Sequence, residues 1–177
     1  MSQLILLLII IICILIIVTY NSLIKKRNSV KQAKSSIDVY LKQRFDLIPN
    51  LVDCVKGYAK YEQNLLESIT KLRAEYNETQ DLEKGSKLNG KLNQLLAVVE
   101  NYPELKASEN FLELQKSLTK MEDQLQAARR LYNMDVTSYN TTLQTFPNNI
   151  FALLFGFKSE PLFELEAEAT QNIKVDF

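Results

Sequence analysis

The hydrophobic pattern of the chain changes abruptly near residue 20. Before that point lies an unbroken apolar run of fifteen residues, LILLLIIIICILIIV, from Leu4 to Val18. With Thr19 and Tyr20 it approaches the ~20 residues that a helix needs to cross the hydrocarbon core of a bilayer. We therefore predict a membrane-spanning helix at 1–20, whose spanning residues include Leu4, Ile5, Ile12, Cys13, Ile17 and Val18.

Beyond residue 20 apolar residues recur at steps of three and four, the spacing of helices that bury one face. Short turns between such helices favour antiparallel neighbours. The fold class that we predict is all-α, with the transmembrane helix continuing into an antiparallel up-and-down four-helix bundle over 21–157. An acidic tail, which we expect to be poorly ordered, follows at 158–177. The four predicted helices cover 4–48, 49–76, 88–102 and 114–146, with a turn at 77–85.

The residues that flank the apolar run predict an uncleaved anchor and its direction. A cleaved signal peptide needs a basic stretch before its apolar core and small residues at a cleavage site, and neither is present. By the positive-inside rule, basic residues mark the cytoplasmic flank. We therefore predict a single-pass protein of a bacterial inner membrane, with its N-terminus outside and 21–177 cytoplasmic. The membrane-proximal basic residues are Lys25, Lys26, Arg27, Lys31 and Lys34.

Composition narrows the chemistry that the chain can perform. Basic and acidic residues balance at 21 each, and no residue is a histidine, which excludes His-based catalytic triads and imidazole ligands. Neither a phosphate-binding loop nor a nucleophile motif is present. No basic stripe or nucleic-acid-reading motif occurs in the main body. We therefore predict no catalytic activity, no cofactor, no metal and no nucleic-acid partner.

Four charged residues lie in or beside the apolar stripes of the predicted helices. Because buried charges are costly unless they are paired, one hypothesis is that they form an interior polar network that serves as a metal or substrate site. The alternative is that they pair structurally or extend to the edge of the bundle. These residues are Arg44, Glu62, Arg73 and Glu122.

Two further stretches stand out. Tyr132-Asn133 and Tyr139-Asn140 repeat a dipeptide at a spacing of seven residues. Such polar pairs serve either helix registration or a ligand groove. The uncharged stretch 150–157 is too short to cross a bilayer. It packs on the bundle, contacts the membrane interface or docks a partner, and its candidate docking residues are Ile150, Phe151, Leu154, Phe155 and Phe157.

Several motifs together resemble the LemA family of bacterial membrane proteins. They are Tyr20-Asn21, Arg27-Asn28, RFDLIPNLV at 44–52, VKGYA at 55–59, ENYPELKA at 100–107, ARRLYN at 128–133, Tyr139-Asn140 and Phe146-Pro147. The resemblance implies one N-terminal membrane helix and a helical-bundle body. It adds little about mechanism, because the molecular role of the family is poorly defined.

The anchor, the long helical seams and the missing chemistry favour a membrane-anchored scaffold or adaptor. Its expected partners are the lipid bilayer, a protein of unknown identity and, through the long seams, a second copy in a homo-oligomer. The alternatives are a lipid-binding or membrane-organising protein, and an accessory subunit of a membrane protease or envelope-stress system.

Overall fold

A computed structural model describes residues 2–57 and 62–163, apart from the side chain of Leu82. Within this part of the chain all regular elements are helices, and the predicted all-α fold class is confirmed. The helices are α1 (Ser2–Asp46), α2 (Ile48–Lys56), α3 (Gln63–Thr79), α4 (Leu82–Val99), α5 (Pro103–Lys106), α6 (Glu109–Gln144) and α7 (Asn148–Leu154).

The second predicted helix is in fact two helices. α2 ends at Lys56, Gly57 caps it, and α3 begins at Gln63 after residues 58–61, which lie outside the described part. Glycine is a weak helix former, which favours the end of a helix at this position. The apolar stripe did not reveal this end, because two helices that bury the same face can continue one stripe. The predicted continuous helix over 49–76 is therefore wrong.

The turn predicted at 77–85 is much shorter in the structure. α3 continues to Thr79, Gln80 adopts a left-handed conformation with φ of 48°, and α4 begins at Leu82. The carboxylate of Asp81 accepts a hydrogen bond from the backbone N–H of Glu83 at 2.9 Å, which caps α4. A polar sequence was thus mistaken for a loop, although its polar residues lie on exposed helical turns.

The chain divides into two compact units. The first comprises residues up to Gln32 and from Arg129 on, and the second comprises Ala33–Ala128. In the second unit the predicted stripes are the buried positions, including Ile37, Leu41, Leu88, Leu92, Leu95, Leu118 and Leu125. The ring of Phe45 packs edge-on against that of Tyr76, with centroids 5.0 Å apart.

In the first unit, α1 changes its surroundings where the apolar run ends. The large apolar side chains between Leu4 and Val18 are exposed, except for the half-buried Ile16. Thr19 and Leu23 are the first residues of α1 that the protein buries. Within the described residues this is the one helix long and apolar enough to cross a membrane. The described residues therefore cover little of the apolar run, as expected for a segment that lipid surrounds.

Candidate functional site

The second unit contains a buried arginine whose guanidinium donates hydrogen bonds to three side chains. Arg44 on α1 is 2% exposed. Its Nη1 donates to the side-chain oxygens of Asn89 and Glu122, and its Nη2 donates to Asn93 Oδ1 at 2.7 Å. Asn89 and Asn93 lie one turn apart on α4, so both can reach the same guanidinium. A buried charge is tolerated when it is paired and hydrogen-bonded in this way.

The structure divides the four residues of the predicted polar network among three places. Arg44 and Glu122 form the buried pair just described. Arg73 donates from Nε to the carbonyl of Phe45 at 3.0 Å, and its Nη2 lies 4.0 Å from the Asp46 carboxylate. It thus caps the carboxyl end of α1, where a cation is favourable. Glu62 lies at the start of α3 and forms no side-chain cap there.

The Arg44 cluster holds a single carboxylate, which suits an ion pair better than a metal site. Among the described residues no group of three or more Cys, Asp or Glu side chains is placed to hold a metal ion. Asn89 and Asn93 were not predicted from the sequence, although their spacing of four residues beside Leu88 and Leu92 was the available signal. The cluster joins α1, α4 and α6 of the second unit, which is a structural role.

In the first unit, the repeated Tyr-Asn pairs of α6 bind an extended segment of the same chain. The carboxamide of Asn140 donates to the carbonyl of Glu160 at 2.8 Å and accepts from the N–H of Glu160 at 3.0 Å. Asn133 makes the same two bonds with the backbone of Phe163, at 3.1 and 2.8 Å. Tyr132 adds a bond from its hydroxyl to the carbonyl of Pro161 at 2.9 Å. We call residues 158–163 the strap.

The spacing of the two asparagines matches the spacing of the strap residues that they hold. Seven helical residues rise about 10.5 Å, and three residues of extended chain span about 10 Å. The strap runs antiparallel to α6, since the later asparagine holds the earlier strap residue. The first residues of the predicted acidic tail are therefore hydrogen-bonded to α6, whereas 164–177 lie outside the described residues.

Side chains of α6 also surround the strap. Arg129 is 8% exposed and its guanidinium lies 4.9 Å from the centroid of the Phe163 ring. Its Nε is buried and has no hydrogen-bond partner among the described residues. Burial lowers the pKa of Arg129. Burial, and secondarily the charge of Glu160, raises the pKa of Tyr132, so this hydroxyl remains a donor at neutral pH.

The predicted docking stretch includes α7, which lies beside the end of the apolar run. The ring of Tyr20 packs edge-on against Phe155 and Phe157, with centroids 5.1 and 6.0 Å apart. Ala152 is buried and Phe151 is half-buried. Ile150 and Leu154 are exposed, as are two residues that sequence analysis missed, Leu153 at 85% and Phe146 at 80%. An exposed apolar surface of this kind is typical of a site that contacts a membrane or a protein partner.

The predicted membrane-proximal basic residues differ in their distance from Tyr20. Lys26 donates to Ser138 Oγ at 2.6 Å, and the other four are exposed. At a rise of about 1.5 Å per residue, Lys25 lies about 7 Å beyond Tyr20 along α1 and Lys34 about 21 Å. Screening at physiological salt acts over about 8 Å. A lipid headgroup at the level of Tyr20 would therefore be attracted by Lys25, Lys26 and Arg27 and little by the others.

Comparison with known proteins finds one family and several relatives. A family model described as "LemA family" matches residues 33–177. Protein LemA of Metamycoplasma hominis is 29% identical over 161 residues, which is 88% of this chain and 73% of that protein. Magnetosome protein MamQ 2 of Paramagnetospirillum magneticum is 25% identical, over 82% of this chain and 64% of that protein. MamQ of Magnetospirillum gryphiswaldense is 24% identical, over 78% and 62%. The chain thus spans less than two thirds of these magnetosome relatives.

Proposed function

Because the chain belongs to the LemA family, we propose that it is a membrane-anchored helical scaffold with two membrane attachments, the apolar run of α1 and the apolar surface of α7. The coarser statement, that it is a membrane-associated helical protein, follows from the family and from the exposed apolar helix. The proposal adds a second attachment and a non-catalytic role.

The observation that carries the proposal is the contact of Tyr20 with Phe155 and Phe157. Tyrosine at the end of a membrane-spanning run favours the headgroup level, where its ring is apolar and its hydroxyl is hydrated. Side chains that touch this ring share that level. The exposed Leu153, Leu154 and Phe146 then belong to the interface, where burial of apolar area contributes about 25 cal/mol per Å².

The charges near Tyr20 support a cytoplasmic orientation for the body of the protein. Lys25, Lys26 and Arg27 follow Tyr20 within two turns of α1. Such residues stay on the cytoplasmic side during insertion, and each is attracted to anionic lipid by about 1 kcal/mol. A reporter fused after Phe177 is expected to be active only in the cytoplasm. Activity confined to the outside would reverse the orientation and leave the second attachment to be judged separately.

The second attachment can be tested with a single fluorescent residue, since the chain has no tryptophan. Leu153→Trp places an indole on the exposed surface of α7, and full-length protein is reconstituted in vesicles with brominated lipid. We expect strong quenching by the bromine atoms, because the indole lies among the acyl chains. The matched control is Met134→Trp, which replaces an equally apolar, 67% exposed residue about 15 Å before the end of α6.

Equal and weak quenching of the two indoles would contradict the membrane attachment of α7. The same exposed surface would then favour the second candidate function, an adaptor whose α7 docks a protein partner. A photo-crosslinker at Leu153 in native membranes separates the two functions. Lipid adducts support the scaffold with two membrane attachments, and a single protein adduct supports the adaptor.

A further inference from the structure

The face of α6 that carries Arg129, Tyr132, Asn133 and Asn140 serves neither of these attachments. We propose that it is a peptide-binding groove for an extended segment in which a residue held by its backbone N–H and carbonyl is followed, three residues later, by an aromatic residue held in the same way. In the resting chain the strap occupies the groove, and an equivalent segment of another protein replaces it. The strap is therefore a tethered competitor of the partner segment.

The groove holds its occupant chiefly through backbone atoms. Each asparagine offers one donor and one acceptor to the carbonyl and N–H of a single strap residue. No strap side chain takes part in these four bonds, so other extended segments of equal length can form them. An occupant must have an N–H at both held positions, which excludes proline there. Pro161 lies between them, where no N–H is required and where its fixed φ favours an extended chain.

One side-chain position gives the groove a preference. The ring of Phe163 covers the guanidinium of Arg129, a deeply buried cation, with 4.9 Å between the guanidinium carbon and the ring centroid. An aromatic ring attracts a desolvated guanidinium through its π face, which an aliphatic side chain does not provide. The groove therefore favours an occupant with an aromatic residue at this position, three residues after the residue that Asn140 holds.

The junction between α7 and the strap makes the occupant exchangeable. Gly156 has φ of 69° and donates to the carbonyl of Leu153, while Phe157 donates to that of Ala152, so a glycine turn ends α7 before the strap begins. Releasing the strap therefore need not unwind α6 or α7. The tether gives the strap an effective concentration on the order of millimolar, so a free segment competes only when the strap is weakened or the segment is itself concentrated.

The test uses the full chain in detergent and a labelled peptide with the strap sequence, acetyl-KSEPLF-amide, followed by fluorescence anisotropy. Phe163→Ala weakens the strap and leaves α6 unchanged. We expect the peptide to bind this variant at least about tenfold more tightly than the original chain, because the tethered competitor is weaker. Glu160→Pro in the chain weakens the strap independently, by removing the N–H that Asn140 accepts.

Specificity for the groove is judged in the Phe163→Ala background. Adding Asn140→Ala removes two hydrogen bonds to the peptide and should weaken binding about thirtyfold. The matched control is Asn77→Ala, an exposed asparagine on α3, which should change nothing. A peptide with Glu160→Pro lacks one of these two bonds, so it should bind at least about fivefold more weakly than the original peptide.

Circular dichroism establishes that each variant keeps its helices. The proposal is overturned if both strap-weakened chains are helical and bind no peptide, or if Asn140→Ala leaves the affinity unchanged. Undiminished binding of the Glu160→Pro peptide would also overturn it, because the backbone bonds would then be irrelevant. None of these results bears on lipid quenching at Leu153, so the proposal and the membrane attachment can fail separately.

Discussion

Two arginines are buried among the described residues, and their surroundings differ. Arg44 in the second unit meets a carboxylate and two carboxamides that regular helices hold in place. Arg129 in the first unit meets the ring of a residue outside any helix, with its guanidinium 4.9 Å from the ring centroid. A buried charge satisfied by its own fold contributes to structure. A buried charge completed by an extended segment points to binding.

Replacement of Arg44 should give the largest effect. Arg44→Ala leaves Glu122 and two asparagines without their shared donor, and loss of one partner of a buried pair costs about 3–5 kcal/mol. We expect the free energy of unfolding, measured by urea denaturation of the full chain in detergent, to fall by that amount. Arg73→Ala, which removes a half-buried arginine bound to a backbone carbonyl, should cost about 1 kcal/mol. Equal losses of unfolding free energy in the two variants would contradict the distinction between the structural Arg44 and the peripheral Arg73.

Loss of one of the α6 asparagines that hold the strap should have a smaller and more local effect. Asn133→Ala or Asn140→Ala removes two hydrogen bonds worth about 1 kcal/mol each. We expect amide hydrogen exchange at Glu160 and Phe163 to accelerate, because each N–H donates to one of these asparagines. Exchange in the second unit should be unchanged. Uniform acceleration across both units would mean that the strap is part of the global fold.

Arg129→Met tests the difference between the two buried arginines directly. The substitution keeps an unbranched apolar stem and removes both the contact with the Phe163 ring and the cost of burying the charge. Because these effects oppose each other, the free energy of unfolding should change by less than about 1 kcal/mol. A loss as large as that of Arg44→Ala in the same denaturation assay would show that Arg129 has a structural partner of its own.

Asp38 on α1 should give the smallest effect and the opposite sign. Burial raises the pKa of its carboxyl, and Lys34 only partly offsets this, while Tyr76 lies near enough to feel the charge. The folded chain therefore keeps the proton longer than the unfolded chain. Stability should fall as pH rises from about 4, the unfolded pKa, through the raised folded value, and stay constant above it.

Asp38→Asn is the corresponding test. It should raise the free energy of unfolding at pH 7 by less than about 1 kcal/mol, because the group is partly exposed to solvent. Denaturation midpoints at pH 4 and pH 7 should differ less in the variant than in the original chain. A variant that is less stable than the original at pH 7 would indicate that the carboxylate has a stabilising partner.

The parts of the fold that repeat along the chain were predictable, and the parts that do not repeat were not. The apolar run, the buried stripes and the pairing of Arg44 with a carboxylate follow from periodicity and from the cost of buried charge. The break after Lys56 left no signature because the stripe continues across it. The Tyr-Asn repeat was visible in the sequence. The segment that it binds was not predictable, because an extended strap of six residues has no periodic pattern.

The seven helical residues from Asn133 to Asn140 span about the same length as the three strap residues from Glu160 to Phe163, and this match in length limits how the sequence can change in evolution. Substitution of an exposed strap residue such as Leu162, which takes no part in the four asparagine bonds, leaves the match intact. An insertion or deletion of one residue between Asn133 and Asn140 would rotate one carboxamide by about 100° around α6. That carboxamide could then no longer bind the strap backbone. In lineages that retain the strap, we therefore expect sequence drift at its outward positions and a fixed length for both segments. Here length, more than residue identity, is what selection would preserve.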